Sequence, residues 1–169
     1  MLAISYALST IATVLGLIEP FGKKMRTILA FNFTGNLLVG LSYLLTDAKT
    51  GAVVCFVACV QVVINYFFDM KGKKVPVWLI AIYLVVFVSV NLLAFENWYD
   101  AFSLVASMLF VISVAQSNAK YYRILYFSNS AVWILYDFLS GATGNLSTHI
   151  VLVIATLISM IVRNKEKTS

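Results

Sequence analysis

Seven apolar stretches, each close to the length of a membrane span, fill almost all of this 169-residue chain. A helix needs about 20 mainly apolar residues to cross the hydrocarbon of a bilayer. Charged and turn-forming residues divide the sequence into such pieces at GKKMR (22–26), TDAKTG (46–51), DMKGKK (69–74), ENWYD (96–100), QSNAK (116–120), SGATGN (140–145) and RNKEKTS (163–169). Gly, Pro, Asp and Lys are the residues that interrupt helical segments. The pieces between predict helices over 2–20, 26–46, 51–69, 75–95, 98–116, 121–140 and 145–163.

Composition decides the solvent. The chain is 62% hydrophobic and 11% charged, whereas a soluble domain is about 45–50% apolar and about 25% charged. A chain of this size buries only about 70% of its surface on folding, so the apolar excess has to face lipid. The expected fold class is therefore all-α, a polytopic membrane protein. Met1 to Leu17 carries no charge before Glu19 and no small-residue cleavage site, so it reads as the first span and not as a removable signal.

Seven spans put the two ends on opposite sides, and Lys and Arg are retained in the cytoplasm. With the N-terminus outside and the C-terminus cytoplasmic, the cytoplasmic segments hold Lys23, Lys24, Arg26, then Lys71, Lys73, Lys74, then Lys120, Arg123, then Arg163, Lys165 and Lys167. Of the 12 basic residues only Lys49 falls outside. One span more or fewer would scatter these charges over both faces. The formal charge of +5 follows from this rule and from contact with anionic headgroups. It is no sign of nucleic acid, which is not an expected partner.

The sequence also repeats. Moving 93 residues along pairs Asn36 with Asn129, Val39 with Val132, Tyr43 with Tyr136, Thr50 with Thr143 and Gly51 with Gly144, without a gap. A basic loop precedes each unit. Residues 1–70 then form one three-helix unit, 75–95 a linker helix and 98–165 a second unit, all within one membrane domain. The first and fifth helices run in the same direction, so the units are parallel repeats about an axis along the membrane normal. In transporters built this way the substrate site lies near the midplane between repeats, which makes Asn36 and Asn129 symmetry mates.

This 3+1+3 order, with Asn and Trp on the helices facing the axis, resembles the SWEET and PnuC-type transporter architecture. The stretch FSLVASMLFVISVAQSNAKYYRILYFSNSAVWILYDFLSGATGN is similar to the YgjV-type bacterial inner membrane protein family. There a basic loop, a helix ending in W-x-x-(Y/H)-(D/N)-F, a Gly-rich turn and a last helix recur. The resemblance implies a multi-pass protein of the bacterial inner (plasma) membrane, and passive or ion-coupled passage of small polar solutes. SWEET proteins carry mid-helix prolines as hinges; here Pro20 and Pro76 stand at helix ends.

Polar side chains within the spans are the candidate site. Asn32 and Asn36 share one face of the second helix, and Gln61 and Asn65 one face of the third. Depth counted from the helix ends pairs Asn36 with Gln61 and Asn32 with Asn65, an expected ladder of four amides. It either joins the two helices, at about 0.6 kcal/mol per interhelical bond, or lines a cavity and bonds a polar ligand. On the sixth helix Asn129 and Trp133 share a face, with Thr156 and Ser159 opposite on the seventh. Trp133 either fills space or stacks on a planar or sugar-like solute. Tyr43 and Tyr136 fall near the outer ends, as interfacial anchors or as an outer gate. Asp137 and His149 lie near that same end. They either reach water or pair across the Gly-rich turn as a proton-sensitive latch. Glu19 and Asp69 sit beside basic loops and read as charge neutralisers.

The sequence has no H-E-x-x-H, no paired mid-membrane aspartates and one histidine, so an enzyme is not expected. Ser103, Ser107 and Ser113 lack a base and read as small packing residues. Cys55 and Cys59 share a helix face, but no His or carboxylate stands nearby in sequence to complete a metal site. They read as packing residues, and no metal or cofactor is expected. With no acid or base placed in mid-membrane, the reading is a carrier for a small, polar, neutral solute bound by Asn32, Asn36, Gln61, Asn65, Asn129 and Trp133. The alternative is a non-transporting receptor or scaffold of the same fold. The expected partners are the lipid bilayer, that solute and a second copy of the chain, since Gly16, Gly35 and Gly40 permit close helix approach within or between subunits.

Overall fold

The computed structural model describes residues 2–165, which form seven α-helices. α1 (Leu2–Ile18) runs into a 3-10 turn at Glu19–Phe21, followed by α2 (Met25–Leu45), α3 (Lys49–Met70), α4 (Val77–Leu93), α5 (Asp100–Val114), α6 (Ala119–Ser140) and α7 (Thr143–Lys165). Lys167 of the basic tail lies outside the described residues.

Every expected helix is present, and local chemistry sets its ends. Pro76, which has no N–H to donate, is the N-cap of α4. The Asp100 carboxylate accepts from the Glu96 and Asn97 amides at 2.9 and 2.8 Å, which closes the turn before α5. These two stops make α4 and α5 shorter than the spans expected at 75–95 and 98–116. After α6, Gly141 adopts φ 73°, and the Ala142 amide bonds back to the Asp137 carbonyl at 3.0 Å. A left-handed residue at that position favours glycine, because a Cβ is costly there.

The bundle is apolar outside and polar inside. Ile11, Val60, Val85, Phe138 and Ile154 face outward, while Ser9, Asn32, Gln61, Asn91, Asn129 and Asp137 are buried. A lipid solvent explains both, since hydrocarbon accepts Leu and Ile freely but forces polar groups to find partners within the protein. The segments Leu2–Phe21, Met25–Leu45, Lys49–Met70 and Thr143–Arg163 are each long and apolar enough to cross a membrane. α4 and α5 are apolar but shorter. α6 has 22 residues, but its buried face carries Arg123, Asn129, Ser130 and Asp137, so its polarity is covered by neighbouring helices.

α1, α2, α3, α5, α6 and α7 form a closed ring, each packing on the next and α7 back on α1. α4 lies outside the ring against α3 and α5. A hydroxyl seam joins α1 to α2 and α7. Ser5 and Ser9 each lie 2.8 Å from the Ser42 hydroxyl, and Ser9 donates to Asn145 at 2.9 Å. Basic breaks meet at one end of the bundle. There the Arg26 amide bonds Asp69 at 3.1 Å, Arg123 donates to the Pro20 and Gly22 carbonyls at 2.7 and 2.9 Å, and Arg163 to Phe21 at 2.6 Å. Lys49 lies at the opposite end, 3.9 Å from Glu96.

Candidate functional site

Inside the ring is a cavity of about 50 Å³, lined by residues of all six ring helices and by none of α4. At roughly 10–15 Å³ per water, it holds a few waters or one solute of a few heavy atoms. Thr13 on α1 bonds Thr148 on α7 at 2.8 Å and marks the level of one pole. Glu19, six residues further along, marks the other, about 9 Å away at 1.5 Å per residue.

At the basic end the 3-10 turn carries Glu19 inward, where it is 2% exposed. Its carboxylate accepts from Asn32 Nδ2 at 2.9 Å and from the Tyr122 hydroxyl. Tyr122 stacks on Tyr126, centroids 5.0 Å apart. Glu19 is therefore not the headgroup-level neutraliser expected. The arginines beside it reach the backbone carbonyls of its own turn, and its carboxylate lines the cavity. Asp69 stays at the surface of that end, bonded to the Arg26 amide.

At the other pole the residues expected as anchors or gate form one buried cluster. The Tyr43 hydroxyl donates to Asp137 Oδ1 at 2.5 Å, and His149 Nδ1 lies 2.6 Å from Asp137 Oδ2. His149 stacks on Trp133 with centroids 5.7 Å apart and planes 8° from parallel. Tyr136 packs edge-on to Trp133 and Tyr43 at 5.3 and 6.2 Å. Tyr43 and Asp137 are 0% exposed and Tyr136 2%. The interfacial readings of Tyr43, Tyr136, Asp137 and His149 are thus corrected. In a narrow bundle, residues one turn from a helix end still face a neighbouring helix, and the Asp137–His149 pairing is the alternative that forms.

The four-amide ladder does not form. Asn32 and Asn36 line the cavity, and Asn36 Nδ2 donates to Asn32 Oδ1 at 2.8 Å. Gln61 instead donates to the Val111 carbonyl at 3.2 Å and Asn65 to that of Val114 at 3.1 Å, while Tyr83 donates to Asn65 at 3.2 Å. These two amides fasten α3 to α5 and α4. The reason is the register of α3 against α2. Gly40 packs against Cys55, and Cys59 Sγ reaches the Phe33 carbonyl, so Asn36 lies level with Ala58, the last α3 residue on the cavity, and Gln61 and Asn65 fall about one and two turns beyond it. Asn129 and Trp133 do line the cavity. Ser159, expected opposite them, instead donates to the Pro20 carbonyl at 2.6 Å, and the Thr156 hydroxyl is buried without a partner among the described residues.

Beyond Glu19, sequence reasoning missed Tyr122, Tyr126 and the hydroxyl seam. One signal for the seam was present: Ser5, Ser9, Ala12 and Gly16 form a stripe of small residues at helical spacing.

No curated protein and no solved structure matches this chain. The model of one family, Imp-YgjV, described as bacterial inner membrane protein, matches residues 3–167, nearly the whole length. The chain belongs to that family of bacterial inner membrane proteins.

Proposed function

We propose that the protein is a carrier for a small polar solute, bound in the cavity at the centre of the ring. The observation that supports this most is that one cavity touches both Asn36 and Asn129, the residues paired by the 93-residue repeat. The ring order supports the same reading. Two like-oriented three-helix units, α1–α3 and α5–α7, would meet at α3·α5 and α7·α1, and both are contacts of this fold. In this reading α4 returns the chain so that the second unit starts on the same side, and the basic end faces the cytoplasm.

The two poles then serve as gates. Separating Tyr43 from Asp137 and His149 opens the cavity to one side. Separating Glu19 from Asn32 and Tyr122 opens it to the other. Asn32, Asn36, Asn129 and Trp133 contact the solute, while Gln61 and Asn65 hold the scaffold. The expectation of a neutral solute rested on there being no buried acid at the site, and Glu19 removes that ground.

A thermal-shift screen of the purified protein against a library of small polar solutes tests the proposal, with hits carried to uptake by proteoliposomes. A ligand that binds only the folded state raises its melting temperature. A carrier gives hits that Asn36→Leu and Asn129→Leu lose while still folding. If both variants fold and every response survives, the amides only pack helices, and the receptor or scaffold reading replaces this one.

A further inference from the structure

Building on the carrier reading, we propose that the cavity takes a small organic cation of the methylammonium type, with Glu19 as its counter-charge. Three features of the cavity point to such a ligand.

The first is charge. Glu19 is buried, yet among the described residues no cation lies within ion-pair distance of it. Arg123 directs Nε and one terminal nitrogen to the Pro20 and Gly22 carbonyls. An ionised carboxylate buried from bulk water and bonded only by neutral donors is costly, and a cation in the adjoining space relieves that cost.

The second is hydrogen-bond polarity. Asn36 Nδ2 donates to the backbone and side-chain oxygens of Asn32 at 2.9 and 2.8 Å. Asn129 Nδ2 donates to the Ala106 carbonyl at 2.7 Å. A backbone carbonyl only accepts, so these contacts fix the amide orientations and leave Asn36 Oδ1 and Asn129 Oδ1 without a donor among the described residues. Glu19 and two amide oxygens therefore form an acceptor-rich lining. An ammonium group has three donors and no acceptor, and matches it.

The third is shape. Tyr126, Trp133 and Tyr43 border a space of about 50 Å³. An aromatic wall around a space this small suits a compact alkylammonium by cation–π attraction. Asp137 does not line the cavity, and its two oxygens are already engaged by Tyr43 and His149.

The test is thermal melting of the purified protein with methylammonium chloride, with acetamide as a neutral solute of similar size and potassium chloride as the ionic-strength control. Methylammonium should raise the melting temperature of the wild type by about 5–10 °C at a hundredfold excess over its Kd. Acetamide and potassium chloride should not, and Glu19→Gln should lose the shift. Equal shifts with acetamide and methylammonium overturn the cation inference and leave the carrier reading standing, as does a Glu19→Gln protein that keeps the full response. No methylammonium shift in the wild type also overturns the inference. The carrier reading fails with it only if the wider solute library is silent too. If Glu19→Gln does not fold, the wild-type comparison of the two solutes decides alone.

Discussion

The buried Tyr43–Asp137 contact can be weighed by a double-mutant cycle with Tyr43→Phe and Asp137→Asn. Interhelical hydrogen bonds in membrane proteins average about 0.6 kcal/mol and reach about 1.7. This one is short, at 2.5 Å, its acceptor is a carboxylate, and both residues are 0% exposed. It belongs at the top of that range, so Tyr43→Phe should cost about 1.5 kcal/mol. Asp137→Asn disturbs the bonds to both Tyr43 and His149, and should cost about 3 kcal/mol. The two effects share one bond, so the double variant should be less destabilised than their sum by about 1.5 kcal/mol. Reversible denaturant unfolding of the protein in detergent micelles reads all three. Costs that add to within about 0.5 kcal/mol refute the contact, and with it the proposal that this cluster is a gate.

Gln61→Leu should destabilise the fold by about 0.6–1.7 kcal/mol in the same unfolding assay, yet leave any solute response unchanged, because its amide bonds α5 and not the cavity. Gly51→Ala would bring a Cβ to 3.0 Å from the Tyr43 ring. Overpacking of this kind costs about 1–3 kcal/mol, and the displaced ring should weaken the coupling measured by the cycle above. Orientation can be read from single cysteines in a Cys55→Ala, Cys59→Ala background: an impermeant thiol reagent added to intact cells should label Lys49→Cys and spare Lys73→Cys. The reverse pattern inverts the topology.

The fold was legible because lipid imposes one strong rule: about 20 apolar residues per span and charge at the breaks. Those signals located all seven helices, even α6, whose polar face makes it the least apolar. Asn36, Asn129 and Trp133 were legible as residues of the interior because a polar or large aromatic side chain at matched repeat depth has few places to go but inward. Sequence alone could not show the register of one helix against the next. Gln61 and Asn65 share the helix face of Val54 and Ala58, but they lie past the last α3 residue on the cavity and bond α5. Depth is equally silent about a turn. Glu19 follows the last residue of a regular helix, and the 3-10 geometry at Glu19–Phe21 aims it at Asn32 instead of the headgroups. Asp137 and His149 were seen as a pair but not as members of a cluster with Tyr43 and Trp133, which come from other parts of the chain.

The central claim is that the ring encloses a wet interior reached from outside the bundle. Cys55 lines that interior, and a thiol reacts only where water and thiolate can form. The most direct measurement is therefore modification of Cys55 in Cys59→Ala protein, in proteoliposomes, by a small water-soluble methanethiosulfonate, read by intact mass. The account predicts modification at Cys55 that slows when Asn129→Leu fills the cavity. A Cys55 that stays unmodified in the folded protein, while reacting fully once it is denatured, means a dry axis and contradicts the account.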